Sequence, residues 1–190
     1  MRLIKPANYV LMKWKNGAGS TTQIAIHPAD ATTDNFSWRI SMAAVKTDGP
    51  FSGFPKTERS LVVLDGAGID LTIAEDNAER LTGDSEPFTF AADAPAYAKL
   101  VDGSILDLNV MTRRDCFSHR VHRCFGPKTW KVSAATIVLF AYGADLRIED
   151  GATTINVACG DTFIFGDCTA ELKIIPDSSG DYYLVELNRS

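Results

Sequence analysis

The sequence predicts an all-β fold, two jelly-roll-like β-barrels from a tandem repeat with few short helices, and three observations carry that prediction. Residues 61–100 match residues 136–175 at a constant offset of 75 with no gap, and an offset kept through loops as well as apolar runs marks one folding unit used twice. Short apolar or alternating segments recur between Gly, Asp and Ser turn signals, as strands do. A helical period is not sustained over about a dozen residues anywhere. Chains of many short strands hide their edges by closing or stacking sheets, hence the barrels.

The strands follow in chain order. Phe36 to Ala43 alternates Trp38, Ile40 and Met42 with Arg39 and Ser41. Ser60 to Leu64 is a continuous apolar run that stops before Gly66, and Ile69 to Ile73 alternates after Gly68. Phe88 to Phe90 and Ala96 to Val101 complete the first copy, which ends at Asp102-Gly103, and Leu106 to Thr112 alternates again. Ala135 to Phe140, Asp145 to Ile148, Asp161 to Phe165 and Ala170 to Ile175 form the second copy. In it Leu64 falls on Leu139, Gly68 on Gly143, Leu71 on Leu146, Phe88 on Phe163 and Phe90 on Phe165. Tyr182 to Leu187 follows the turn at Ser179-Gly180. Cys116 to Lys131 shows little alternation and is expected to connect the barrels, which gives domains 1–114 and 115–190.

A chain of 190 residues buries roughly 70% of the surface it exposes when unfolded, so it needs no disulfide or metal staple. The net charge is -5 and the basic residues are scattered, which argues against nucleic acid as a partner. Tyr9 to Met12 is too short for the apolar core of a signal peptide, and no apolar run approaches the roughly 20 residues of a membrane span. A cytoplasmic, soluble protein with no membrane partner is expected. Its four cysteines are then expected to be reduced thiols.

Within each copy the order is strand, Gly turn, strand, loop, a Ser-Glu or Gly-Asp step, then Phe-x-Phe. That order resembles a cupin half-barrel, and Gly160-Asp161-Thr162-Phe163-Ile164-Phe165 resembles the characteristic cupin turn. Five runs are more specific: Trp14-Lys15-Asn16-Gly17-Ala18-Gly19, Trp38-Arg39-Ile40-Ser41, Asp48-Gly49-Pro50-Phe51-Ser52-Gly53-Phe54-Pro55, Arg59, and Asp107-Leu108-Asn109-Val110-Met111-Thr112-Arg113. In this order and spacing they resemble the HutD/Ves family of bicupins. The resemblance implies a two-barrel cupin without the usual metal site, tied to regulation of histidine utilisation in some bacteria and to stress response in others. It also implies a small acidic ligand from histidine breakdown, such as formylglutamate or urocanate. Two positions depart from the family pattern: Ala18 stands where Gly is frequent and Gln23 where Glu is frequent.

Side chains two apart on a strand share a face, so Asp107, Asn109, Met111 and Arg113 point one way and Leu106, Leu108, Val110 and Thr112 the other. The first face lines either a wet pocket or the outside. As a pocket wall it would bring an acceptor, an amide and a guanidinium onto a small ligand. Arg39 and Ser41 share a face in the same way. The planar fork of Arg39 suits a carboxylate, or else pairs with Asp107 in a structural salt bridge. Trp14 to Gly19 reads as a donor-rich turn with Asn16 aimed at a ligand, or as a plain turn with Trp14 plugging the core. Phe51 and Phe54 are expected to pack in the core rather than roof a barrel mouth. The candidate ligand-binding set is Trp14, Asn16, Arg39, Ser41, Arg59, Asp107, Asn109, Met111 and Arg113.

No histidine occurs between residues 60 and 110 or between 130 and 190, so the usual His-rich cupin metal centre cannot be built in either barrel, and no metal or other cofactor is expected. Cys116, His119, His122 and Cys124 are close in sequence, but a short extended run puts His119 on the opposite face from the others, which does not suit zinc. His27 precedes Pro28 in a turn and has no partner in sequence. Two functions compete: a metal-free protein that binds a small acidic metabolite, and a metal-independent isomerase or hydrolase in which Asp107 or His27 moves a proton. A carboxylate beside arginines is expected to have a lowered pKa, which makes it a poor acid and favours binding over catalysis. A homodimer is the commonest assembly for such a chain, and no segment identifies its interface.

Overall fold

The computed structural model describes residues 1–190 apart from Lys15, Asn16, Ala18 and Ala152; for Val132 and residues 167–170 it describes the backbone alone. In chain order the strands are β1 (Arg2–Ile4), β2 (Val10–Lys13), β3 (Gly19–His27), β4 (Trp38–Val45), β5 (Gly49–Pro50), β6 (Thr57–Asp65), β7 (Ile69–Ile73), β8 (Glu79–Leu81) and β9 (Phe88–Ala91). They continue with β10 (Ala96–Leu100), β11 (Ile105–Arg113), β12 (Phe117–Cys124), β13 (Lys128–Ala141), β14 (Leu146–Asp150), β15 (Thr153–Val157), β16 (Thr162–Pro176) and β17 (Tyr182–Arg189). A 3-10 turn at Pro6–Asn8 joins β1 to β2. The fold is all-β, as the patterning predicts. Among the described residues no helix is long and apolar enough to cross a membrane.

Two compact units form: Tyr9–Ser118 with Ser190, and Met1–Asn8 with His119–Arg189. In the Tyr9–Ser118 unit a six-stranded sheet runs β2-β3-β4-β11-β6-β9 and a four-stranded sheet runs β5-β10-β7-β8. Ala43, Val45, Leu61, Val63 and Ile105 of the larger sheet pack with Ile69, Leu71, Leu81, Ala96 and Ala98 of the smaller one. Period-two alternation puts these groups on the inner faces, and their removal from water is the main force holding the sheets together. In the other unit a single path runs β12-β17-β13-β16-β14-β15, with β1 added alongside β16. Its core gathers Ile137, Leu139, Leu146, Ile148, Phe163, Phe165, Leu172 and Leu184.

The 75-residue offset is a true structural repeat. The neighbour order β11-β6-β9 recurs as β17-β13 and the first half of β16, and β10-β7-β8 recurs as the second half of β16 with β14 and β15. One difference matters: β9 and β10 lie in different sheets, whereas β16 is unbroken. The segment Cys116 to Lys131 contains the division between the two units, at Ser118/His119, and carries more regular structure than its weak alternation suggests. It contains β12 and the start of β13. β12 lies at the end of its sheet path and has one neighbour, so it needs no apolar alternation to hold its place and reads as loop in sequence.

Candidate functional site

The register of β4, β11 and β6 arranges the candidate residues in rows. Met111 lies opposite Arg39 on one side and Arg59 on the other, Asn109 opposite Ser41 and Leu61, and Asp107 opposite Ala43 and Val63. Directly opposed residues are about 5 Å apart at Cβ, and rows two residues apart along a strand are separated by ~7 Å. The wall therefore grades from two guanidiniums, through a hydroxyl and an amide, to a lone carboxylate between apolar neighbours.

This wall borders a cavity of about 580 Å³ within the Tyr9–Ser118 unit. Arg39, Ser41, Asn109, Met111 and Arg59 line it, with Trp14 and Thr21 on one side and Thr47 to Ser52 and Phe54 on the other. Six of the nine candidate residues therefore share one chamber. Asn16 lies outside the described residues. Arg113 is not among the lining residues; its Nη2 turns to Asp115 Oδ2 at 3.2 Å.

Both lining arginines are buried, at 5% exposure for Arg39 and 4% for Arg59. Arg39 donates from Nε to Gln23 Oε1 at 2.9 Å, and burial lowers its pKa. Because Gln23 is neutral, this bond supplies no counter-charge. The Arg59 guanidinium sits 5.2, 5.3 and 5.7 Å from the ring centres of Phe51, Phe54 and Phe90, an arrangement that the ring quadrupoles favour. Its Nη2 donates to the Ser52 carbonyl at 3.2 Å, while Nε has no hydrogen-bond partner. Burial lowers the Arg59 pKa to about 10, against the opposing pull of Asp107 and with a smaller push from Arg39. Phe51 and Phe54 thus both pack and face the chamber, where the sequence reading expects packing alone.

Asp107 has no exposed surface. Its Oδ1 accepts a bond from Asn109 Nδ2 at 2.5 Å, and its Oδ2 has no partner. Burial pushes its pKa up to about 7, outweighing the downward pull of Arg59, Asn109 and the Ala43 backbone. Two expectations are corrected here. The charge acting on Asp107 is that of Arg59 rather than Arg39, because Arg39 is held by Gln23. The pKa rises instead of falling, because removal of the carboxylate from water costs more than one shared guanidinium returns.

Trp14 both lines the chamber and packs against the apolar core. Its Nε1 donates to Thr21 Oγ1 at 2.8 Å, and its backbone N–H to the Gly19 carbonyl at 3.0 Å. A Cβ on Gly19 would run into the Ala44 carbonyl oxygen, which explains the glycine. His27 is not among the lining residues; its ring stacks on Trp38 at 5.6 Å. His122 Nε2 meets Glu186 Oε2 at 3.0 Å, and Cys124 is buried in the core of its unit. Among the described residues no three His, Cys, Asp or Glu side chains gather as metal ligands would. Asp48 and Ser52 lie in one of the family-specific runs yet are not among the candidate residues, whereas Thr47 carries no sequence signal and Gln23 only its departure from the family pattern.

A family model described as HutD matches residues 6–181. The chain belongs to the HutD family. It is 40% identical over 104 residues to Protein Ves of Cronobacter sakazakii, a match spanning 54% of this chain and 55% of that protein. The chain thus spans about half the length of that relative. An uncharacterized 21.2 kDa protein in the hutC 3' region of Pseudomonas putida is 29% identical over 149 residues, or 78% of this chain and 77% of that protein. The solved structure of HutD from Pseudomonas fluorescens SBW25, described as a formate condition, shares 26% identity at a TM-score of 0.85. That likeness covers 100% of this chain and 98% of the other.

Proposed function

We propose that this HutD-family chain is a bicupin that binds a small acidic metabolite in the chamber of the Tyr9–Ser118 unit. Acids of histidine degradation, such as formylglutamate or urocanate, are the ligand class, and occupancy serves a regulatory or stress-related role. The observation that carries the proposal is a pair of buried guanidiniums, Arg39 and Arg59, lining one chamber in which the partner bonded to Arg39 is neutral. Buried cations call for anionic partners, and a carboxylate meets a guanidinium with two bonds. Ser41 and Asn109 in the next row offer hydrogen bonds to the rest of such a ligand, and Trp14, Phe51 and Phe54 offer apolar surface. Kinship with the relative in the hutC 3' region supports the histidine-utilisation setting.

A second reading, a metal-independent isomerase or hydrolase using Asp107, has one observation in its favour: burial lifts that carboxyl to about 7, where acid-base catalysts work. Against it, Asp107 has no exposed surface and is not among the lining residues. It is linked to the chamber by its bond from Asn109 and by the charge of Arg59.

Thermal shift with formylglutamate, urocanate and formate tests binding. An acid at 100 times its Kd adds about 3 kcal/mol to stability, and the gain should vanish in Arg39→Met and Arg59→Met. No shift with any of the three acids, or a shift that survives both substitutions, refutes the proposal.

A further inference from the structure

We propose that Asp107 is a proton-binding site linked to the anion site above it, so that the chamber takes up an acid as its anion together with one proton. The inference rests on the anion-binding reading and adds a second, coupled ligand to it.

The geometry is that of a carboxylate with one shared counter-charge. Asp107 is fully buried, one oxygen is held by Asn109 and the other has no partner. Its cross-strand neighbours, Ala43 on β4 and Val63 on β6, are apolar. A carboxylate in such a place stays ionised only as far as a cation compensates it. Arg59, from β6, is the charged group that acts on it, while Arg39, from β4, acts on Arg59. On β3 Gln23 is neutral, and Ala98 on β10 is apolar. Asp48, on the rim, accepts the Leu100 amide at 2.8 Å.

Arg59 therefore has two claimants. In an empty chamber it compensates Asp107; once an anion sits against its guanidinium, the two negative charges compete for it in a poorly solvated space. A proton on Asp107 Oδ2 resolves the conflict, because that oxygen is unengaged and Oδ1 keeps its bond from Asn109. The proton comes from solvent and no bond to the ligand forms. By reciprocity the anion must raise the proton affinity of Asp107 as much as the proton raises the anion affinity.

Sodium formate, fully ionised across the range, is the probe for titration calorimetry between pH 6 and pH 8. Affinity should be nearly level where Asp107 already holds its proton and should weaken about tenfold from pH 6 to pH 8, since only the protonated fraction binds well. At pH 8 the heat should vary with the ionisation enthalpy of the buffer, approaching one proton taken up per formate. Asp107→Asn should bind at pH 8 as the parent does at pH 6, with no proton uptake. Carbon-13 NMR of the aspartate carboxyls gives a readout on the unaltered protein: formate should move the Asp107 midpoint upward. Formate binding with pH-independent affinity and no proton uptake overturns the coupling and leaves the anion site standing. Failure of formate, formylglutamate and urocanate alike to bind at any pH overturns both.

Discussion

Asp107→Asn should make the empty protein more stable at pH 8, against the habit of buried polar substitutions. In the folded chain the carboxyl is raised from its ordinary 3.8 to about 7 by burial. A raised acid binds more protons folded than unfolded between those two values, so its contribution to stability is intact below pH ~4 and is lost as pH rises to ~7. The loss is complete above that window and amounts to about 4 kcal/mol. Asn resembles the protonated carboxyl: its amide oxygen can take the Asn109 bond, and its NH2 stands where the proton would. Arg59 loses its attraction to Asp107 in the protonated and the substituted forms alike, so that loss is already inside the figure. The variant should gain about 4 kcal/mol at pH 8 and only about 2 kcal/mol at pH 5. Urea unfolding at both pH values, followed by tryptophan fluorescence, measures the difference. A loss of stability at pH 8, or an equal gain at both pH values, refutes the account of Asp107 as a strained carboxylate.

Two further substitutions probe the scaffold. Gly19→Ala forces a methyl group onto the Ala44 carbonyl and should cost 1–3 kcal/mol, roughly, in chemical denaturation, as overpacking does; it should also weaken acid binding through Trp14. Leu139→Ala, in the apolar core of the other unit, should cost about 2–5 kcal/mol, while formate affinity in calorimetry stays at the parental value.

Much of the scaffold was legible because each strand of the duplicated block carries its own apolar run and turn residues. Ile69–Ile73 is read to the residue, and β6, β9, β10 and β11 to within a few residues at each end. β3 was missed: Gly19, Ser20, Thr21, Thr22 and Gln23 offer no apolar alternation, and the strand is defined by pairing with β2 and β4 instead. β12 was missed for the same reason. At the site, period two places Arg39, Ser41, Asn109 and Met111 on common faces, and the chamber joins them. The sequence could not reveal which arginine serves Asp107, because that depends on Gln23 capturing Arg39 from a neighbouring strand. Nor could it reveal the direction of the Asp107 pKa, which follows from complete burial of the carboxyl in the folded unit and outweighs the lowering by Arg59, Asn109 and the Ala43 backbone.

The break between β9 and β10 sets the two halves of the duplicated chain apart. The Phe51 and Phe54 amides donate to the Ala96 and Ala92 carbonyls, at 2.9 and 2.8 Å. The aromatic flap over Arg59 is thus stitched to the seam where one strand stops and the next begins. Residues 167–170 occupy that seam in the other half, and there the backbone runs on, with Cys168 facing Ala134 and Thr169 facing Ser133. A closed seam offers no free edge for such a flap to grip. The interruption leaves carbonyls at Ala92 and Ala96 that hold Phe51 and Phe54 beside Arg59, and the unbroken β16 offers no counterpart to them.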